Sequence, residues 1–210
     1  MAKFREGDLF AIALPEKDWV TGRILLDVDR VLKKLGGAST PFRVRKGTIL
    51  VEVYKQATSE PSTEVSAPLI PSAWIDPDAI LGRDKPKWPI VGNVPVDGRT
   101  VDFPENVFGV TGDAKFEKGE ISLPIHATTA DVERWEVRTT AQLPSRFARI
   151  CSQYLGRPQH ADPNMFSLAD SDLRYNPHRP EVFARLGADP QRSYFDWATS
   201  LGLDPARLWS

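Results

Sequence analysis

Apolar residues fall at every second position near the start of the chain. Phe10, Ile12 and Leu14 alternate with smaller residues, the period of a half-buried strand. Pro15 to Asp18 then supplies a turn, because proline fixes φ and the charged side chains favour water. Val20, Gly22, Ile24 and Leu26 share one side of a second strand, and Thr21 and Arg23 share the other. The pattern predicts a β-hairpin with a four-residue loop. Gly22, in mid-strand, marks either a bulge or a close approach by another backbone. Val31, Leu32 and Leu35 then predict one helical turn stopped by Gly36-Gly37.

Residues 46–55 predict a third strand, with Ile49, Val51 and Val53 on one face and Leu50, Glu52 and Tyr54 on the other. Residues 56–71 are rich in Ser, Thr, Pro and Glu and predict a mobile loop. Short strands are expected at 72–75 and 87–92, the second placed at an edge by Pro89. Asp76-Pro77 opens a brief turn between them. Residues 93–119, broken by Gly and Pro, read as loop with short strands. Alternation returns at 120–125 and again at 135–139. Residues 1–140 therefore predict a small, mainly antiparallel barrel or strongly bent sheet.

From residue 141 the period changes. Phe147, Ile150, Cys151 and Tyr154 fall on one helical face, with Ser145 as the expected N-cap and Gly156 as the stop. A short helix from Pro180 carries Val182, Phe183 and Leu186 up to Gly187. Tyr194, Trp197, Ala198 and Leu201 form another stripe ending at Gly202. Asp204-Pro205 opens a last turn. Helices this short are marginal alone, so residues 141–210 are expected to pack on the sheet. The fold class is α+β.

Composition adds mostly exclusions. The formal net charge is −1, with 27 Lys and Arg against 28 Asp and Glu, so the basic excess of a nucleic-acid coat is missing. Cys151 is the only cysteine, which rules out an internal disulfide and a thiolate-rich metal site. No run approaches the roughly 18 apolar residues of a membrane helix. The first residues, MAKFREGD, lack the apolar core of a secretory signal. These features lead us to expect a cytoplasmic protein without membrane or nucleic-acid partners.

Candidate chemistry is sparse. His126, His160 and His178 lie far apart and show no metal-ligand spacing. Cys151 occupies an apolar helical position, where a free thiol acts as a small core residue. No phosphate-binding loop or nucleophile elbow is present. Asp27 with Asp29, Asp76 with Asp78, and Asp170 with Asp172 are spacings common in loops and do not argue for acid–base work. No catalytic, cofactor-binding or metal-ligating residue is expected. Six tryptophans read as core, with one or two as anchors for a protein partner. Residues 160–180 mix acidic and aromatic side chains without period, as an ordered surface loop or a recognition surface would.

The opening, EGDLFAIALPEKDWVTGRIL, resembles the immunity protein 26 family of bacterial polymorphic toxin systems. Gly7 and Asp8 precede an apolar strand with Phe10, Ile12 and Leu14. Trp19 lies at the turn, and Gly22, Arg23 and Ile24 open the next strand. KWPIVGNVPV, residues 87–96, is similar to a later family strand. The resemblance covers residues 4–95; the Ser/Thr/Pro loop and the helical tail depart from it. It implies a non-enzymatic cytoplasmic protein that binds a co-produced toxin and occludes its active site. Nucleases with basic grooves are common toxins, and the contacts expected on that reading are Asp162, Met165, Phe166, Asp170, Asp172 and Tyr175. The alternative is a small-molecule- or peptide-binding barrel, even a modest hydrolase, with His126 or His178 beside a carboxylate in a pocket.

Overall fold

The computed structural model describes residues 4–37, 41–42, 44–110, 112–157 and 167–209. The hairpin forms as its alternation requires, β1 (Asp8–Ala13) pairing antiparallel with β2 (Trp19–Asp27). The Leu14 N–H closes the turn on the Asp18 carbonyl at 2.8 Å. α1 (Val28–Lys34) starts at Asp27, whose side chain accepts the Asp29 N–H, and buries Val28, Val31 and Leu32. β3 (Ile49–Thr58) and β4 (Pro68–Ile75) extend the sheet past β2. β5 (Ile90–Asn93) adds to β1 as the edge strand that Pro89 foretells.

The sheet does not close into a barrel, which corrects that part of the expectation. Its order is β4-β3-β2-β1-β5, so the terminal strands stand at opposite edges. Register shifts interrupt the β1–β5, β2–β3 and β3–β4 pairings, and bulges of this kind bend a sheet. Helix covers the face that closure would have hidden. α3 (Pro144–Tyr154) brings Phe147, Ile150 and Cys151 into one cluster with Phe10, Ile12, Ile24, Ile49, Val51 and Val53, all without solvent access. α3 begins at Pro144, with Leu143 rather than Ser145 at the N-cap position.

Because successive strand residues alternate, Leu50 and Trp74 point away from α3 into a second cluster. That cluster is completed by a three-stranded antiparallel meander: β6 (Glu105–Val110), β7 (Asp113–Lys118) and β8 (Ile121–Ile125). α4 (Arg179–Leu186) and α5 (Tyr194–Ser200) add Val182, Phe183, Tyr194 and Trp197 around Phe116. The last residues return to the first sheet, where the Trp209 Nε1–H donates to the Leu25 carbonyl at 3.0 Å. Helices from the tail thus enter both clusters. Trp74, Trp88, Trp135 and Trp197 are core residues.

Two further expectations change. Residues 135–139 are not a strand, because α2 (Thr129–Trp135) ends there and Val137 keeps a single bridge to Val107. α2 has a capping box, in which Thr128 and Asp131 each accept the other's backbone N–H. The Ser/Thr/Pro-rich segment, expected to be mobile, is anchored on the sheet: Thr21 Oγ1 donates to the Ser62 carbonyl at 2.9 Å.

Gly22 has a reason to be glycine. A Cβ there would meet Phe10 Cζ at 2.5 Å, and the Phe10 ring is itself stacked on Trp88 with centroids 6.0 Å apart. The register also shifts beside it. We expect Gly22→Ala to cost about 1–3 kcal/mol by overpacking. In a Phe10→Leu background the same change should cost less, as read by denaturant unfolding at constant m-value. Asp131 gives a pH signature. The Thr128 backbone N–H, then its hydroxyl, hold this carboxyl below its usual value. Its contribution is therefore whole above the ordinary carboxylate range and is lost as pH falls through the lowered folded value. The gap in thermal midpoint between wild type and Asp131→Asn should be wide at about pH 7 and close toward about pH 3.

Candidate functional site: a cationic cleft over a buried ion cluster

Glu105 opens β6 directly opposite Lys118, the last residue of β7. Neither side chain reaches solvent: Glu105 is 0% exposed and Lys118 2%. The hairpin register places opposite charges together, and the tail supplies the rest. Lys118 Nζ donates to Glu105 Oε1 at 3.2 Å. Arg179, the first residue of α4, grips the same carboxylate with Nε at 2.7 Å and Nη2 at 2.9 Å. Nη2 also donates to the Pro190 carbonyl, and the guanidinium lies over the Phe183 ring at 4.6 Å.

A second buried pair adjoins the first. Asp172 caps the 3-10 turn Leu173–Tyr175 by accepting the Arg174 N–H. It also accepts the Glu105 N–H at 3.2 Å and binds the Arg174 guanidinium through both oxygens. Arg174 Nη2 reaches across to the Ser72 carbonyl of β4 at 2.7 Å. Asp102 closes the group, 2.8 Å from Lys118 Nζ and 3.5 Å from Arg174 Nη1. Three cations thus face three carboxylates. The bidentate hydrogen bond to Glu105 raises Arg179 against the burial that lowers it. Burial likewise works against Arg174, but the charge and hydrogen bonds of Asp172 together with the Asp102 charge outweigh it, so this guanidinium also titrates above its usual value.

Over this cluster opens a cleft of about 310 Å³, walled by residues 99–102, Lys118, Arg174, Arg179 and residues 190–194. Its exposed rim carries Arg99 and Arg192. Another cleft, about 370 Å³, lies beside α1 and is lined by Asp27, Asp29, Asp76 and Asp78 together with Arg45, Lys46 and Arg83. Its carboxylates are largely engaged locally. Asp27 and Asp76 accept the N–H two residues on, Asp29 accepts the Gly47 N–H, and Asp76 also pairs with Arg45. Two of the three Asp pairs noted in the sequence are therefore structural caps at their first member, and the third caps at its second, Asp172.

The residues singled out from the sequence do not gather into one surface among those described. Asp170 is exposed. Asp172 is buried with its carboxylate turned inward. Tyr175 is half-buried, edge-on to Tyr154 at 5.4 Å. Asp162, Met165, Phe166 and His160 lie outside the described residues. His126 is exposed, and its carbonyl accepts from Arg185. His178 Nδ1 stands 3.2 Å from Glu181 Oε1, but Glu181 also binds the Trp135 indole N–H and Arg134, tying α4 to α2. Cys151 has no solvent access, and burial pushes its thiol up. Among the described residues no group of three His, Cys, Asp or Glu could hold a metal ion, and no helix is long and apolar enough to cross a membrane.

Removing one partner of a buried ion pair leaves the other charge stranded, at a cost of about 3–5 kcal/mol. Glu105→Gln strands Arg179, leaves Lys118 with Asp102 alone, and should lower stability by about that amount. Arg138→Ala, which breaks only the exposed pair with Glu136, should cost about 1 kcal/mol or less. Denaturant unfolding of the two variants side by side checks the contrast.

Comparison with curated proteins and with solved structures gave no match. A protein-family model did match, over residues 5–116, just over half of the 210-residue chain. The matched stretch takes in the five-stranded sheet and runs on through β6 into β7, including Glu105. On that match, the chain belongs to the immunity protein 26 family.

Proposed function

We propose that the protein is an immunity protein that binds a cognate protein toxin in the cytoplasm and neutralises it by covering the active site. Family membership carries this reading. The placement of the described reactive groups supports it: Cys151 is sealed in the core, His126 is on open surface, and His178 is committed to Glu181 at a helix start. A stiff framework with charged surface suits steric blocking, since a preorganised face loses little freedom on binding. Charge on that face would speed encounter with a partner of opposite sign.

The test is co-expression with the product of the neighbouring toxin gene. The expected outcome is restored growth of cells making that product, and co-elution of the two chains as a stable 1:1 complex. Growth arrest undiminished by this protein, with the chains eluting apart, would overturn the reading.

A further inference from the structure

We propose that the cleft between the β6–β8 meander and the α4–α5 pair is a docking site for a carboxylate-bearing segment of the partner protein, held by Arg99 and Arg192. The inference rests on the immunity reading and names the chemistry of the partner's docking element.

The argument is a charge balance within one cavity. The floor is neutral, with Lys118, Arg174 and Arg179 answered by Asp102, Glu105 and Asp172. Arg99 and Arg192 are the remaining charges of the lining, and both are cations. Neither forms an ion pair among the described residues. The Arg99 guanidinium lies 5.8 Å from the Phe195 ring centroid, and Arg192 Nη2 donates at 3.3 Å to the Asp196 carbonyl. The nearby carboxylates make hydrogen bonds within their own loops. Asp97 accepts the Arg99 N–H, Asp189 the Gln191 N–H, and Asp196 the Ser193 hydroxyl. None of the three lines the cavity.

Geometry agrees with charge. A cavity of about 310 Å³ admits one or two side chains rather than a folded element. Guanidinium is the group suited to gripping a planar carboxylate through two parallel hydrogen bonds. The buried cluster beneath holds the two rim segments in place: Arg179 grips the Pro190 carbonyl beside one, and Asp102 fastens the other to Lys118. The rim cations thus sit on fixed supports, which limits the ordering cost of binding.

The experiment records arginine Nε and backbone amide NMR signals of the full chain during titration with a glutamate-rich peptide, and separately with inorganic phosphate. The peptide should give saturable shifts at Arg99, Arg192 and residues 99–102 and 190–193. Its affinity should fall about tenfold or more when salt is raised from low to high. Arg99→Glu/Arg192→Glu should abolish these shifts while leaving the rest of the spectrum in place, because both side chains lie outside the buried cluster. Arg146→Glu, on α3 at the opposite face of the sheet, should leave them intact. No saturable shift, equal binding by the double variant, or phosphate acting as strongly as the peptide would each overturn the inference. The cell assay separates the two readings. Full protection by the folded double variant removes the cleft as the docking site and leaves the immunity reading standing. Wild-type chain that binds the peptide yet gives no protection upholds the cleft as an acidic-segment site and removes the immunity reading.

Discussion

A carboxylate excluded from water must be answered within the protein, because an unpaired buried charge costs several kcal/mol. Glu105 is such a group, and its answers come from two parts of the chain. Lys118 arrives through the hairpin register, 13 residues away. Arg179 arrives from the tail, 74 residues away. Neutralising Glu105 therefore fixes where α4 begins relative to the meander. Asp172, which accepts the Glu105 N–H and clasps Arg174, fixes the preceding turn. Arg174 then reaches β4 through the Ser72 carbonyl. One buried charge links both sheets and the helical tail.

The apolar clusters supply most of the stabilisation and little of the specificity. Leucine, valine and isoleucine faces tolerate sliding as long as volume is conserved, whereas a bidentate guanidinium–carboxylate pair has one geometry. The helices could bury their stripes against the second cluster in several ways. The ion cluster selects one, and that choice sets the walls of the cleft above it. The same logic appears at Trp209, whose indole N–H takes a backbone carbonyl of β2.

What was legible in the sequence was local. The β1–β2 hairpin and the faces of β3 followed from period-two alternation, and the stripes of α3, α4 and α5 from helical spacing. The family could be read from Gly7, Asp8, Trp19 and the Gly22-Arg23-Ile24 run, and the match over residues 5–116 bears it out. Trp135, Val137 and Thr139 misled because apolar alternation continues past the end of a short helix; Thr128-x-x-Asp131, a capping box, was the overlooked sign. Short strands separated by turn signals fit a barrel and a strongly bent sheet alike, because that pattern does not say whether a helix covers the inner face. The ion cluster was not legible at all. Its members are scattered from Asp102 to Arg179, and nothing in their spacing tells a buried Lys118 from a solvated one. A faint clue lay in the mirror arrangement of Glu105-Asn106-Val107 and Phe116-Glu117-Lys118 around Gly112.

If Glu105 is the fastening point, the meander and α4 must open together. Native-state hydrogen exchange over a range of denaturant measures this directly. The account predicts that the protected amides of β6, β7 and α4 share one opening free energy and one denaturant dependence. Exchange of α4 at markedly lower free energy, with β6 and β7 still protected, would contradict it.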